Sequence, residues 1–445
     1  MDDGAPVREV TDEMAGVGLA WRDRLARIRS RPVVKQVSAM VAGTAVAGVV
    51  GILVTPIISR LYTPVDVGAA GVAINFAYVS VMICALRYDM AVIDSKTDHD
   101  AERAFLLGTF FLVLLSGLSG LVMLVCIRRN LFGLGILPLW SLIPMILVGI
   151  LGGFNMMLRA WNVRFQRFRE IAKATVQQAF GRAVLPVLLA PLKIGWFGLF
   201  LGEAAGRVLG TGALLKSAGK ARRLPTRWSG YGTPAEALRK TWRYPVILTP
   251  SGIVDSLAST MLIPLAAQAF GVAAAGQLFM AQRIAVLPAL LLTGAVGEVF
   301  HSKASKVYRE NPSALPGLLK KAVFGLLAVG LATVAPIALV APTIVPVILG
   351  KKWLVTGILV AILAPATVFY LMTATSRVIS VVGQQQKKAF FDAVRFLSLV
   401  GGFVVAPKLG YGMISCVIIY ALFECFTRSV YIFITFRAVK AGLRA

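Results

Sequence analysis

Apolar runs recur along the chain from residue 37 to its end. A run of about 20 residues is what a helix needs to cross the hydrocarbon core of a bilayer. In lipid, each backbone N–H and C=O must be paired inside the protein, so such runs fold as a bundle of membrane helices. Only 15% of the 445 residues are charged, against about 25% in soluble domains. That is too little polar surface to cover two or three soluble domains of this total length, so the fold class expected is an all-α polytopic membrane protein.

Twelve spans are expected, at 37–59, 67–91, 104–126, 136–158, 172–191, 195–215, 244–268, 276–299, 319–341, 354–381, 388–406 and 412–436. They group into a charged N-terminal segment (1–35), a six-helix bundle (36–215), a basic linker (216–243), a second six-helix bundle (244–437) and a tail (438–445). Residues 1–35 hold no apolar stretch of the kind a signal peptide needs, so this segment is expected to stay in the cytoplasm beside anionic headgroups.

The net charge of +26 would point to nucleic acid in a soluble protein. Here its placement gives another meaning. With the N-terminus inside, the tails and the loops on that face hold 33 Lys and Arg, and the opposite loops hold 7. Positive charge is retained on the cytoplasmic side, so both termini are expected there and no nucleic-acid partner is implied. The opposite loops are all short and offer no room for an external active site. The protein is therefore read as a non-enzyme.

Weak internal symmetry supports a transporter. Pro56 and Gly68 flank the first outer turn, and Pro264 and Gly276 flank the first outer turn of the second half at the same spacing. Glu203 and Arg207 lie four apart on the sixth span, as do Glu424 and Arg428 on the twelfth. Parallel six-helix repeats place a substrate site between the halves.

With Arg395, in the first half of the eleventh span, counted among the 33 cytoplasmic loop cations, six arginines remain within spans: Arg87, Arg182, Arg207, Arg283, Arg377 and Arg428. Facing lipid, each would cost about 2.5–3.5 kcal/mol on insertion scales, so most must face protein or a solvated cavity. Arg87 and Arg377 lie near the cytoplasmic ends, where a long side chain can also snorkel. Glu203–Arg207 and Glu424–Arg428 can neutralise each other as ion pairs along one helix face. Arg182 and Arg283 have no acid at helical spacing, which makes them the better candidates for an anion-binding cavity. Guanidinium matches phosphate oxygens in bidentate fashion. Asp255, Glu203 and Glu424 are candidates for ion coupling, since a buried carboxyl can exchange H+ or bind Na+. No other cofactor is expected. Cys84, Cys126, Cys416 and Cys425 form no C-x-x-C pair, and His99 and His301 are the only histidines, so no metal site is read.

The run TPIISRLYTPVDVGAAGVAINFAYVSVMICALRYDMAVI (55–93) resembles the N-terminal signature of bacterial polysaccharide (O-antigen/exopolysaccharide) flippases. The matching residues are Pro56, Arg60, Leu61, Tyr62, Pro64, Asp66 and Gly68 in the turn, then Leu86, Arg87, Tyr88 and Asp89. AQRIAVLPALLLTGAVGEVF (281–300), with Gln282, Arg283 and Pro288, is similar to a second segment of that family. ILGKKWLVTGILVAILAP (348–365) and WNVRFQRFREIAKA (161–174) resemble a third and a fourth. The chain departs from the family at Glu298, where relatives often show Gln, and in its long charged N-terminal extension. The family belongs to the multidrug/oligosaccharidyl-lipid/polysaccharide exporter superfamily.

The resemblance implies two six-helix bundles forming a V around a central cavity in the bacterial inner membrane. It implies passage of a polyprenyl-pyrophosphate-linked oligosaccharide from the inner to the outer leaflet, coupled to an ion gradient. A polysaccharide polymerase and chain-length machinery are the partners it would bring, beside membrane lipids. Arg60, Arg87 and Arg377 then join Arg182 and Arg283 as candidate cavity residues. Alternatives are another cargo of the same superfamily (lipid II, or drug/ion antiport), a membrane glycan polymerase or ligase, or a scaffold. Drug antiport calls for more interior acid than base, and lipid II flippases usually carry two further C-terminal helices.

Overall fold

A computed structural model of the protein describes residues 32–221, 224, 233–381 and 386–442. Most of the N-terminal segment, the middle of the basic linker and residues 443–445 lie outside the described residues, as do the side chains of Pro288, Glu298 and Arg377. Every element among the described residues is helical. The first six long helices are α1 (Pro32–Leu61), α2 (Pro64–Cys84), α3 (Asp98–Arg128), α4 (Leu142–Arg164), α5 (Phe168–Leu189) and α6 (Trp196–Ala221). Then come α7 (Thr249–Thr260, continuing as Leu262–Phe270), α8 (Val272–Glu310) and α9 (Leu315–Leu349). The last three are α10 (Leu354–Met372), α11 (Gln386–Val400) and α12 (Met413–Gly442).

Each of the twelve expected spans thus holds one of these helices. Among the described residues, eight are long and apolar enough to cross a membrane, and the bent α7 makes a ninth. The exceptions are α5, α6 and α8, whose described apolar stretch is Val272–Val286. Two of these, α5 and α6, carry Arg182, Glu203 and Arg207, so it is interior charge rather than length that lowers their apolarity.

Local chemistry explains the helix ends. Thr63 caps α2: Asp66 N–H donates to Thr63 Oγ1 at 3.2 Å, and Thr63 N–H donates to Asp66 Oδ2 at 3.0 Å. With Pro64 in the first turn, this is a complete capping box. The second expected span, 67–91, proves discontinuous. Leu86 and Arg87 take φ of 46° and 57°, a left-handed pair that ends α2 before a short helix, Tyr88–Asp94. The seventh span is bent by 48° between Thr260 and Leu262. Pro264 lacks the N–H that would bond Thr260 C=O, and its ring crowds that carbonyl, so the bend follows from sequence.

Helices α1–α6 pack mainly on one another, and so do α7–α12; α2 runs along α7 and α8, and α1 touches α8 and α9. At one end the two groups are bolted together. Trp353 Nε1 donates to Ser59 O at 2.9 Å, Ser59 Oγ to Leu349 O at 3.2 Å, and Lys352 Nζ to Tyr62 O at 2.8 Å. These bonds join the α1–α2 turn to the α9–α10 turn. The opposite end carries the basic loops, stitched by Arg164–Asp98 and Lys240–Asp100 ion contacts of 2.9 and 2.8 Å.

Gly68 and Gly276, which the internal repeat singles out, meet at the bolted end. A Cβ on Gly68 would strike Val272 O, and one on Gly276 would strike Pro64 O. Both obstacles are backbone, so neither helix can yield by turning a rotamer. Gly276→Ala is expected to lower stability by about 1–3 kcal/mol, as overpacking does. Thermal unfolding of the purified protein checks this, and an unchanged midpoint would mean that α2 and α8 do not approach this closely.

Candidate functional site

The first charged cluster is assembled by α2, α5 and α6. On α6, Glu203 and Arg207 face the same way one turn apart, and Arg207 Nε lies 3.0 Å from Glu203 Oε1. Helix α5 approaches closely because Gly181 and Gly206 oppose each other: a Cβ on Gly181 would sit 2.7 Å from Gly206 Cα. That approach brings Arg182 Nε to 2.8 Å from Glu203 Oε2 and its Nη2 to 3.0 Å from Oε1. Tyr78 of α2 donates its hydroxyl to Glu203 Oε1 at 3.1 Å. The Arg207 guanidinium lies 4.5 Å from the Tyr78 ring centroid, a cation–π contact. One buried carboxylate thus serves two guanidiniums. The cluster lines a cavity of about 580 Å³ through Tyr78, Arg182 and Glu203, together with Gln178, Gln282 and Arg283.

A second cluster repeats the plan in α11 and α12. Glu424 accepts from Arg428 Nε at 2.8 Å and from Arg395 Nε at 3.2 Å. Arg395 also reaches Asp255 Oδ1 of α7 at 3.3 Å and Ser259 Oγ at 3.1 Å. Arg428 lies 4.9 Å from the centroid of Tyr370. This cluster borders a cavity of about 630 Å³ whose wall includes Tyr370, Phe391, Tyr420 and Tyr431. The two cavities differ in charge. Arg182 and Arg283 outnumber Glu203 in the first, whereas Asp255, Asp392 and Glu424 outnumber Arg395 and Arg428 in the second.

Arg283 differs from the other interior arginines. Among the described residues it makes no ion pair; its Nη2 lies 3.4 Å from Gly51 O, a long bond. It lines the first cavity and also an apolar groove of about 660 Å³ between α1, α8 and α9. Its neighbours Gln282 and Val286 line both polar cavities. Helix α8 is therefore the wall at which all three spaces meet.

Arg182 has no acid at helical spacing, and its partner comes from the next helix instead: Glu203 pairs with it across α5 and α6. Asp255 likewise gains Arg395, and the two i, i+4 pairs are each part of an Arg–Glu–Arg triad. Arg395 was the residue missed. Counted among loop cations, it lies inside α11. The signal that could have found it was symmetry: Arg182 in the fifth span and Arg395 in the eleventh precede equivalent Glu–Arg pairs. Arg60 is exposed at the bolted end, 3.4 Å from Ile348 O, and Arg87 packs on Gly252 with Nη1 3.6 Å from Met82 Sδ. Neither lines these three cavities. Arg377 ends a 3-10 turn after α10, and its side chain is outside the described residues.

The motif residues mostly build structure. Tyr62 donates to Pro186 O at 2.7 Å, Asp66 caps α2, and Tyr88 and Asp89 are buried in and around the short helix after α2. Pro56 borders the apolar groove, while Pro64 and Gly68 form the bolted end. Among the described residues no cluster of His, Cys, Asp and Glu has metal-binding geometry.

Membrane-length helices in two packed groups, with compensated charges around interior cavities, define a polytopic membrane protein of transporter architecture. The chain belongs to the polysaccharide biosynthesis protein family, whose model matches residues 57–358. No curated protein matches it. Among solved structures, it is similar to the lipid II flippase MurJ in an inward closed conformation, at a TM-score of 0.67 and 13% identity, covering 89% of this chain and 87% of that one. It is also similar to a MOP superfamily transporter from Pyrococcus furiosus, described as having a binding pocket of reverse polarity, at a TM-score of 0.56 and 15% identity over 92% and 97% of the two chains. An outward-facing multidrug resistance MATE family transporter of the MOP superfamily matches at 0.53 and 16% identity, over 92% and 95%. These likenesses establish the V-shaped fold of that superfamily.

Proposed function

We propose that the protein is a flippase that moves a polyprenyl-pyrophosphate-linked oligosaccharide from the inner to the outer leaflet of the bacterial inner membrane. In this reading 36–215 and 244–437 are the moving bundles, and the termini (1–35 and 438–445) and the 216–243 linker are cytoplasmic. The observation that carries it is Arg283, a guanidinium that makes no ion pair among the described residues and lines a cavity between the helix groups. A charge in the protein interior is normally paired, and a half-buried one that makes no ion pair among the described residues, beside Arg182, has its coordination available for an anion. Pyrophosphate and sugars cannot enter hydrocarbon unaided, and a polar cavity replaces their hydration. With the halves bolted at one end, the cavities lie between that seal and the basic loops, as loading from the cytoplasmic face requires.

Translocation of a fluorescent prenyl-diphosphate oligosaccharide in proteoliposomes tests the reading, with lipid II as a parallel cargo. Lipid II is the second reading, favoured by the likeness to a lipid II flippase. Transport of neither would sink both readings. Coupling is assigned to Asp255, Glu203 or Glu424, each held by arginines that a proton or Na+ could displace. Amide replacement of at least one is expected to change the pH or sodium dependence of transport; three single variants with unchanged dependence would make all three acids structural. Cysteine labelling at residues 230 and 440 is expected to report the cytoplasmic side, and labelling of either from outside would overturn the topology.

A further inference from the structure

We infer that the apolar groove between α1, α8 and α9 is the seat of the cargo's isoprenoid chain, with the diphosphate held at its inner end by Arg283; this rests on the flippase reading. The groove wall is aliphatic, formed by Ile52, Val340, Ile344 and Ile348 with Pro56 and Pro336. Among the described residues, Arg283 is the one charged residue lining it. The same guanidinium lines the cationic cavity, so it stands where an apolar space meets an anion-attracting one. A prenyl diphosphate has that same order of parts: a hydrocarbon chain, then two phosphates.

The depth agrees. Arg283 follows Val272, the first residue of α8 at the bolted end, by eleven residues, about 16 Å at 1.5 Å per residue. That is near the middle of a ~30 Å hydrocarbon core. Thr55, Pro56, Ile348 and Leu349 place the groove's far end at the bolted side. A lipid of the cytoplasmic leaflet has its head toward the basic loops and its tail toward the opposite face. The groove accepts a tail in that direction while the head remains among the polar cavities. The open side of the groove faces the bilayer: Ile344 and Ile348 are 45% and 46% exposed, so a chain can enter laterally without passing through protein. An ordinary acyl chain would satisfy the aliphatic wall but would not bring a diphosphate to a half-buried guanidinium at this depth.

The test uses the full chain in phosphatidylcholine nanodiscs with a diazirine-bearing farnesyl diphosphate. Photolabelling is expected on peptides of α1 and α9, removed by excess geranylgeranyl diphosphate but not by phosphatidylglycerol at the same mole fraction. Ile344→Trp and, separately, Val340→Trp are expected to weaken geranylgeranyl diphosphate binding by about tenfold, because each fills space that the chain would bury. Binding of inorganic pyrophosphate should stay within about twofold, less than RT in free energy. Two lipid-facing positions, with unfolding temperature as a control, guard against a folding defect. Label displaced equally by phosphatidylglycerol would make the groove an ordinary lipid site and overturn the inference. So would prenyl binding unchanged in both variants. Wild-type protein that binds the prenyl probe but not inorganic pyrophosphate would overturn the cationic-cavity reading and leave the groove standing. Pyrophosphate binding without groove labelling would do the reverse.

Discussion

Arg283→Ala is expected to abolish transport while the protein remains folded and present at its normal level in the membrane. Its guanidinium has one long contact, to Gly51 O at 3.4 Å, and no carboxylate among the described residues depends on it. Removing it therefore leaves no buried acid uncompensated, and the fold loses little. The cavity, however, loses the cation that makes no ion pair among the described residues. A guanidinium–phosphate contact is charge-assisted and bidentate, worth about 1.5–3 kcal/mol or more per hydrogen bond set, so binding should fall by at least about tenfold. Arg283→Lys is expected to recover part of the activity, because a point charge keeps the attraction but not the planar fork. Transport assays beside quantitative blotting separate the outcomes. Normal transport in Arg283→Ala would remove this residue from the site, and lost protein would show that it ties α8 to α1.

Replacing Glu203 has the opposite profile, a loss of stability ahead of any effect on chemistry. Glu203 is buried and holds both Arg182 and Arg207. Glu203→Gln would leave two guanidiniums facing each other without an anion. Breaking a buried pair by removing one partner costs about 3–5 kcal/mol, a large share of the ~5–15 kcal/mol that holds a typical domain. The thermal midpoint should fall steeply. Adding Arg207→Gln should restore much of it, because the remaining cation, Arg182, has a side chain 38% exposed on the cavity side and can be hydrated there. Glu424→Gln should behave alike, with Arg428→Gln as its compensating change. A midpoint unmoved by Glu203→Gln would mean that the cluster is open to water and the arginines need no carboxylate.

Glu203 and Arg283 differ through their cross-helix surroundings, which spacing along one helix does not encode. The apolar run lengths determined the helices, because a segment in hydrocarbon must pair its own backbone, and that requirement is local. The turn at Thr63–Asp66 and the bend at Pro264 were equally local, set by a side-chain cap and by a missing N–H. Spacing along a helix face placed Glu203 with Arg207 and Glu424 with Arg428, since residues four apart face the same way. Family-like segments within 55–93 and 281–300 pointed to the right family.

The tertiary structure decided what lies between helices. Arg182 and Glu203 are paired because Gly181 and Gly206 let α5 and α6 approach, and Arg395 is interior because α11 turns it toward Glu424 and Asp255. The meeting of a cationic cavity, an acid and aromatic cavity and an apolar groove at Gln282 and Arg283 follows from how α8 is rotated against α1, α9 and its own group. Sequence spacing fixes which side chains share a face of one helix. Which partner that face meets depends on helix rotation and depth, set by small-residue contacts between segments far apart in the chain, and no single segment encodes it.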